Sequence, residues 1–330
     1  MKEEVRGMSG AFGWCFIGAG RLANQVAKEI GATDRHRIVS VYTHSPEKGR
    51  KFAAQYGCAS FDDAAEAMSA DGVQGVYVVT PHSAHFEYVK LAIELGKPVL
   101  CEKPFTTDAK QAEALFTLAK EKGVYVAEAM WTWFSPVANR VKRWLDDGEF
   151  GGIQQVRASY RMEIRPFGRR LTDPNLAGGA LLDIGVYPIT YLYRLFGNPV
   201  GVTCSGVVKN GVDMDEEIDL TFEGGRTYRA SVSMHRLIPD EKICIVGSKA
   251  SMALRGYHGA HRVTLRRKSG GDEIFTGDGS MCNEFDRAAE EILAGKAQSD
   301  FVPPQATVDV MRIMDECRRQ MGLVYPFERE

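Results

Sequence analysis

Lys103 stands where an apolar strand ends, in the tetrapeptide Cys101-Glu102-Lys103-Pro104. In an open α/β sheet, a residue just past the carboxyl end of a strand points into the crevice where such sheets bind ligands. An ammonium there can hold a substrate oxygen and change the pKa of a neighbouring acid or base. The alternative is that Lys103 is a solvated loop lysine. The predicted strands and helices around it decide between these two roles.

A glycine turn near the start of the chain is the first of these elements. The apolar run 12–17 is typical of a buried strand, residues 23–30 have a helical pattern, and between them stands Gly18-Ala19-Gly20-Arg21-Leu22-Ala23. This is the dinucleotide-binding fingerprint in its required setting. Gly18 permits the tight turn, Gly20 lets the main chain approach a pyrophosphate, and Ala23 keeps the helix close to the sheet. The helix N-terminus adds partial positive charge for the phosphates.

Strand and helix patterns then alternate through the first half of the chain. Further strands are indicated at 37–42, 73–79, 97–101 and 124–127, and helices at 46–56, 85–95 and 108–122. Such alternation implies parallel pairing with right-handed crossovers. We therefore expect an α/β Rossmann domain with a parallel doubly wound sheet over residues 1–127.

The end of the second strand usually decides between the two nicotinamide cofactors, because a carboxylate there binds the ribose 2′-hydroxyl. The turn Thr43-His44-Ser45-Pro46 contains no carboxylate. Ser45 can donate to a 2′-phosphate, and His44 and Lys48 can neutralise it. They are also ordinary turn residues, since Ser-Pro begins a helix well. The pattern favours NADP, with NAD as the alternative.

The segment Thr80-Pro81-His82-Ser83-Ala84-His85 follows the strand at 73–79. Pro81 stops the strand, and we expect Thr80, Pro81 and His82 to lie against the cofactor. His85 is expected to cap the next helix or to pack under the nicotinamide. No Asp, Glu or Cys completes a metal-ligand spacing with the two histidines, so no metal site is predicted.

The pattern changes after Glu128. Strands are indicated at 153–160, 200–208, 217–222, 227–233, 242–246, 251–255 and 262–267, without helices between them from 200 onward. This predicts an α+β domain with a mostly antiparallel open sheet over residues 128–330, whose C-terminal helix at about 303–320 can pack back on the first domain. The free face of an open sheet favours a homodimer or homotetramer.

Asp183 and Tyr187 stand in a glycine-rich segment that runs from Gly178-Gly179 and continues with helical period to Gly197. Residues four apart share one helix face. An aspartate and a tyrosine on an apolar face need a polar partner or purpose. The alternative is an aspartate that caps and a tyrosine that packs with its hydroxyl satisfied.

Composition excludes several classes of function. The net charge of −2 argues against binding to nucleic acid or to a membrane surface. No apolar run approaches the roughly 20 residues of a membrane helix. The seven cysteines are scattered without a Cys-x-x-Cys spacing, which indicates a reducing, cytoplasmic location.

Taken together, these motifs resemble the family of glucose–fructose oxidoreductase and inositol dehydrogenase (Gfo/Idh/MocA). The resemblance covers nearly the whole chain and rests on the order of Gly18-x-Gly20-x-x-Ala23, Thr80-Pro81, Gly96-Lys97-Pro98, Glu102-Lys103-Pro104 and Gly178-Gly179-x-Leu181-x-Asp183-x-Gly185. Glu128-Ala129-Met130-Trp131-Thr132 and Asp183-Ile184-Gly185-Val186-Tyr187 are similar to the branch of dimeric dihydrodiol dehydrogenase and NADP-dependent D-xylose dehydrogenases. Inositol dehydrogenases have histidine where this chain has Tyr187.

The resemblance implies hydride transfer between a nicotinamide and a secondary alcohol or carbonyl of a sugar, cyclic polyol or dihydrodiol. It implies a catalytic pair, Lys103 and Tyr187, with Asp183 in support and Glu102 beside the cofactor. A free phenol, with a pKa of about 10, is a poor base at neutral pH. An adjacent ammonium stabilises the phenolate, so the tyrosine can accept the hydroxyl proton.

Two segments depart from the family pattern. Relatives often carry arginine where this chain has Trp133, which makes the predicted substrate contacts, Trp131 and Trp133, more apolar. The basic segment 164–170 contributes Phe167 as a further substrate contact and Arg170, which reaches the cofactor or an anionic substrate group, or is solvated. A reductase of another carbonyl or imine, and an NADP-sensing regulator without turnover, are the alternative functions.

Overall fold

The computed structural model of the chain describes residues 10–164 and 169–329. Its strands are β1 (Phe12–Ile17), β2 (His36–Tyr42), β3 (Ala59–Phe61), β4 (Gly75–Val78), β5 (Val99–Glu102), β6 (Val126–Ala129), β7 (Ile153–Glu163), β8 (Gly201–Lys209), β9 (Val212–Phe222), β10 (Arg226–Ser233), β11 (His235–Gly247), β12 (Ala250–Arg255), β13 (Arg262–Arg267) and β14 (Glu273–Thr276). Its helices are α1 (Arg21–Gly31), α2 (Pro46–Tyr56), α3 (Ala64–Ser69), α4 (His85–Glu94), α5 (Ala109–Lys122), α6 (Trp131–Phe134), α7 (Pro136–Asp146), α8 (Val186–Phe196), α9 (Cys282–Leu293) and α10 (Pro304–Met321).

The first six strands form one sheet in the order β3-β2-β1-β4-β5-β6, and every pair is parallel. Strands β1, β4, β5 and β6 are buried along their whole length. Parallel strands flanked by crossover helices are covered on both faces, which explains why these strands are mostly apolar, with Glu102 and Glu128 as buried exceptions. The structure thus confirms the predicted Rossmann fold.

Helix α9 completes this first unit, although it lies far along the chain. Its Phe285 packs against Trp14 of β1 and Tyr77 of β4, with ring centroids 5.1 and 4.9 Å apart. Its Asp286 pairs with Arg35 at 2.7 Å. The first unit therefore comprises residues up to 105, 111–129 and 281–304.

The remaining strands form an eight-stranded sheet in the order β14-β13-β12-β11-β7-β10-β9-β8. Only β7 and β10 pair in parallel, so the predicted mostly antiparallel sheet is confirmed. Alternate residues of β9 are buried from Met214 to Phe222, which is the period of a sheet covered on one face. Helix α8 packs on β7 and β10.

This second unit comprises residues 106–110, 130–280 and 305–330, so nearly all of α10 belongs to it. Gln320 of α10 donates to the Val202 carbonyl oxygen at 2.9 Å, and Arg318 donates to the Thr107 carbonyl oxygen at 2.8 Å. On β11, Leu237 and Ile238 are 73% and 84% exposed. A homo-oligomer formed through this sheet stays a prediction.

Candidate active site

The glycine turn between β1 and α1 has the shape that a pyrophosphate requires. Gly18 has φ +121°, and a Cβ there would lie 2.6 Å from the Val79 carbonyl oxygen, so only glycine fits. A Cβ on Gly20 would meet no protein atom within 4 Å. The first turn of α1 has no side-chain cap and no acidic residue, which suits an anion at the N-terminus of this helix. The turn therefore fits a dinucleotide.

The residues that follow Gly20 differ in exposure, and one of them holds the main chain of the turn. Ala23 is fully buried and Leu22 half-buried, whereas Arg21 is exposed. Asn24 donates its side-chain amide to the Ala19 and Gly20 carbonyl oxygens, at 3.3 and 2.8 Å. This contact, which the fingerprint does not include, fixes the main chain where the phosphates are expected.

His44 and Ser45 follow the end of β2, and Lys48 lies in the first turn of α2. The Nε2 atom of His44 lies 2.9 Å from the Tyr88 hydroxyl. Ser45 is the N-cap residue of α2, but its hydroxyl does not cap the helix. His44 and Lys48 are exposed. The role predicted for Ser45 and Lys48 in binding a 2′-phosphate stays a prediction.

His85 joins the tips of two neighbouring strands. Its ring is fully buried, with Nδ1 2.9 Å from the Pro104 carbonyl oxygen and Nε2 3.0 Å from that of Thr80. Carbonyl oxygens only accept, so a neutral ring donates to one of the two, and its tautomer decides which. The ring does not cap α4, which was the first of the two roles expected for it. The second role, packing under the nicotinamide, stays a prediction. Pro81 precedes a 3₁₀ turn that begins at His82, which is also buried.

Glu102 holds the turn that presents Lys103. The Tyr77 hydroxyl donates to Glu102 Oε1 at 2.6 Å, and the Lys103 main-chain N–H donates to Glu102 Oε2 at 3.2 Å. Burial and the Glu102 carboxylate raise the pKa of Tyr77 well above its ordinary value, so this phenol stays a donor. Lys103 is half-buried and is followed by a cis peptide bond to Pro104. Glu102 is buried, and its expected position beside the cofactor stays a prediction.

The Gly178-Gly179 motif of the second unit is required by close packing. A Cβ on Gly178 would lie 2.8 Å from the main chain of Leu171, and one on Gly179, at φ +127°, would collide with Asp213. Asp213 is fully buried and accepts from the Leu181 N–H at 2.5 Å. The glycines therefore let a buried carboxylate anchor the segment that leads to Asp183.

Asp183 lies in a single π-helical turn, Leu181–Gly185, which passes directly into α8. Single π turns inside helices are frequent at functional sites. Its carboxylate accepts from Arg170 Nη2 at 3.0 Å, and it is 8% exposed. The structure thus pairs two residues that the sequence predicted separately, Asp183 and Arg170.

Tyr187, in the first turn of α8, belongs to an aromatic cluster. The Trp131 indole Nε1–H donates to the Tyr187 hydroxyl oxygen at 3.0 Å. The rings of Tyr160 and His258 lie with their centroids 5.7 and 6.0 Å from that of Tyr187. Burial raises the pKa of Tyr160, and the neighbouring Tyr187 adds to the rise. Neither Tyr160 nor His258 could be recognised from the sequence, because one lies in an ordinary strand and the other in a turn.

Trp133 occupies a different position from Trp131. It is 7% exposed, the Arg194 guanidinium lies 5.3 Å from its ring, and no described side chain pairs with its Nε1. Burial lowers the pKa of Arg194 to about 10. The structure therefore brings Trp131 to Tyr187 and places Trp133 against Arg194. The predicted substrate contact Phe167 lies outside the described residues.

Comparison with known sequences decides the family. A family model described as an oxidoreductase family with an NAD-binding Rossmann fold matches residues 12–130, and the GFO/IDH/MocA C-terminal domain matches residues 138–253. The chain belongs to the GFO/IDH/MocA oxidoreductases. The family that the motifs indicated is confirmed.

Relatives of this GFO/IDH/MocA oxidoreductase match nearly its whole length. It is 30% identical to the scyllo-inositol 2-dehydrogenase (NADP(+)) of Bacillus subtilis, over 96% of this chain and 99% of the relative. It is 29% identical to the D-xylose 1-dehydrogenase (NADP(+)) of Hypocrea jecorina, over 95% and 93%. It is 26% identical to the mouse trans-1,2-dihydrobenzene-1,2-diol dehydrogenase, over 97% and 99%. These matches confirm the predicted branch.

Solved structures share the fold of this GFO/IDH/MocA oxidoreductase. KijD10, a 3-ketoreductase from Actinomadura kijaniata crystallised with NADP, superimposes with a TM-score of 0.86 at 23% identity, over 94% of this chain and 98% of that one. In the described part of the chain, no group of His, Cys, Asp and Glu side chains is placed to hold a metal ion. Nor does that part contain a helix long and apolar enough to cross a bilayer.

Proposed function

We propose that this protein is an NADP-dependent dehydrogenase or reductase of a sugar or cyclic polyol, in which Tyr187 exchanges the substrate hydroxyl proton. The observation that carries the proposal is the hydrogen bond from Trp131 Nε1 to the Tyr187 hydroxyl oxygen, 3.0 Å long. An indole N–H only donates, and donation to the oxygen of a phenol favours its charged form. The contact therefore suits a tyrosine that must become a phenolate.

Lys103 is the second member of the proposed machinery. Its turn is held by Glu102, which in turn accepts from Tyr77. We assign to the Lys103 ammonium the stabilisation of the Tyr187 phenolate and of the substrate oxygen. Asp183, paired with Arg170, supports the bound substrate.

NADP is the cofactor that the residues favour. When bound, its nicotinamide supplies the hydride acceptor in oxidation and the donor in reduction. Gly20 and the first turn of α1 would hold the pyrophosphate, and Ser45 and Lys48 the 2′-phosphate. The names of the relatives from Bacillus subtilis and Hypocrea jecorina, both with NADP(+), support this choice.

Proton exchange follows from these assignments. In oxidation, Tyr187 accepts the hydroxyl proton of the alcohol as hydride leaves the same carbon. In reduction, it returns that proton to the carbonyl oxygen. The substrates named for the relatives, an inositol, an aldose and a cyclic dihydrodiol, all present the secondary alcohol that this chemistry needs.

The test is absorbance at the reduced-nicotinamide band. Purified protein is mixed with NADP, and separately with NAD, against a panel of aldoses, inositols and cyclic dihydrodiols. The proposal expects turnover of a sugar or inositol, faster with NADP. Tight cofactor binding without turnover of any panel member would contradict it and favour a cofactor-sensing regulator. Turnover with NAD alone would contradict the choice of cofactor.

A further inference from the structure

The aromatic cluster around Tyr187 contains a histidine–carboxylate pair that the proposed mechanism does not use. Glu241, on β11, accepts from the His258 main-chain N–H with Oε1 at 2.6 Å, and its Oε2 lies 2.6 Å from His258 Nδ1. Both carboxylate oxygens are thus occupied by one residue, which fixes the ring in place. Because a carboxylate only accepts, Nδ1 carries a proton.

The His258 ring lies among the aromatic side chains of the cluster around Tyr187. The ring stacks on Tyr160 with centroids 5.5 Å apart, meets Trp131 edge-on at 5.3 Å, and lies 6.0 Å from Tyr187. The His258 side chain is 36% exposed, whereas that of Glu241 is 12% exposed. No described residue hydrogen-bonds Nε2. His258 therefore offers a fixed, accessible polar atom beside three aromatic rings.

We propose that His258 is a substrate-binding residue, whose Nε2 hydrogen-bonds a hydroxyl other than the reacting one, and that Glu241 is its positioning residue. The inference rests on the proposed function and narrows its substrate to a ring with several hydroxyl groups, such as a pyranose or an inositol. The rings of Trp131 and Tyr160 can cover the C–H face of such a substrate. The hydrogen bond from His258 would then help to distinguish a polyhydroxylated ring from a simpler diol.

A structural anchor is the competing explanation. The Glu241 carboxylate also binds the His258 main chain, and the Glu241 carbonyl oxygen accepts from the Gly256 N–H at 2.9 Å. If the pair only fixes this turn, its loss lowers stability without changing the KM for one class of substrate. A substrate contact raises KM and depends on the substrate hydroxyl itself.

The experiment combines His258→Phe and His258→Gln with a substrate series. A phenyl ring keeps the stacking on Tyr160, and glutamine restores a hydrogen-bonding group. His235→Phe is the matched control, because His235 also faces a carboxylate, that of Asp215 at 3.8 Å, but lies outside the cluster. Each variant is assayed with the sugar or inositol that the wild type turns over and with its deoxy analogues.

With His258→Phe, we expect KM for the full substrate to rise about 10-fold while kcat and the NADPH dissociation constant stay within about threefold. The deoxy analogue that lacks the contacted hydroxyl already has the raised KM with the wild type, and His258→Phe raises its KM no further. His258→Gln recovers part of the loss, Glu241→Gln raises KM by a smaller factor, and His235→Phe changes nothing.

An unchanged KM in His258→Phe would overturn the inference while leaving the proposed function in place. So would a rise of equal size for every deoxy analogue, which would indicate a general disturbance of the site. A wild type that turns over no member of the panel would instead overturn the proposed function, and this inference with it.

Discussion

The Tyr77 hydroxyl donates to Glu102 Oε1 over 2.6 Å, one residue before Lys103. The Tyr77 ring is fully buried between Phe16 and Phe285, so its hydroxyl has a fixed position. The other Glu102 oxygen accepts from the Lys103 main chain. A rigid aromatic core is thereby connected to the turn that presents the proposed catalytic lysine.

Replacing Tyr77 with Phe should therefore impair catalysis as well as stability. The change keeps the ring and leaves a buried carboxylate oxygen without its donor, which costs about 1–3 kcal/mol of unfolding free energy. We expect kcat to fall about 10-fold because the Lys103 turn is less well held. Tyr125→Phe is the control, since Tyr125 makes a similar buried bond to Glu291 at 2.9 Å. It should lose similar stability in urea unfolding and keep its kcat; equal kcat losses would contradict the positioning role.

Lys103→Met should abolish turnover while cofactor affinity stays within about a few-fold. Methionine fills a similar volume but cannot stabilise a phenolate or a substrate oxygen, so kcat should fall at least about 100-fold. Single-turnover absorbance and NADPH fluorescence titration measure the two quantities. Lys97→Met, at a half-buried lysine ahead of β5, is the control. Full activity of the Lys103 variant would exclude the assigned role.

The two glycines of the first turn should respond differently to alanine. Gly20 has φ −77° and open space around its missing Cβ, so Gly20→Ala should leave the thermal midpoint unchanged and weaken NADPH binding about 10-fold or more. Gly18→Ala should lower the midpoint, because its Cβ would lie 2.6 Å from the Val79 carbonyl oxygen at a positive φ. Unchanged NADPH affinity in Gly20→Ala would place the pyrophosphate elsewhere.

The sequence predicted the elements whose patterns are local. The alternation of strands and helices before residue 127 and the strands after residue 200 can be recognised from apolar periodicity and from the turn residues between them. The structure contains both. The short β3 and α3 were missed, since three to six residues give too little periodicity. The membership of α9 in the first unit depends on Phe285 meeting β1 and β4, a contact between distant segments that no local pattern encodes.

The residues of the candidate site also fall into two groups, those that stand in local motifs and those that only the tertiary fold brings together. Gly18, Gly20, Lys103 and Tyr187 stand in short motifs with a known mechanism, so they could be named from the sequence. Glu241 lies on β11 and His258 in the turn between β12 and β13, and the strand pattern does not reveal that they meet. The pairing of Arg170 with Asp183 likewise depends on the tertiary path of the chain between them.

Asp315 should make stability depend on pH. Burial raises its pKa from 3.8 to about 6, while its Oδ2 accepts from the Ala109 N–H at 2.8 Å. At pH values between 3.8 and about 6, Asp315 is protonated in the folded chain and ionised in the unfolded chain. The unfolding free energy therefore falls as the pH rises toward 6. Asp315→Asn keeps an acceptor for Ala109 and removes the charge. The variant's gain in unfolding free energy over the wild type should be absent near pH 4 and reach at most about 3 kcal/mol above pH 6. Urea unfolding at a series of pH values measures it. A gain that is the same at every pH would exclude this origin.

Trp131→Phe should shift the pH dependence of oxidation. Its indole N–H donates to the Tyr187 oxygen at 3.0 Å, and oxidation requires Tyr187 to accept a proton. Without this donor the phenolate is harder to form, so the rising limb of the kcat/KM profile should move to higher pH by up to about one unit. Tyr187→Phe should remove that limb together with most of the rate. A rate loss in both variants without any change of profile would mean that the substrate proton is exchanged with another group.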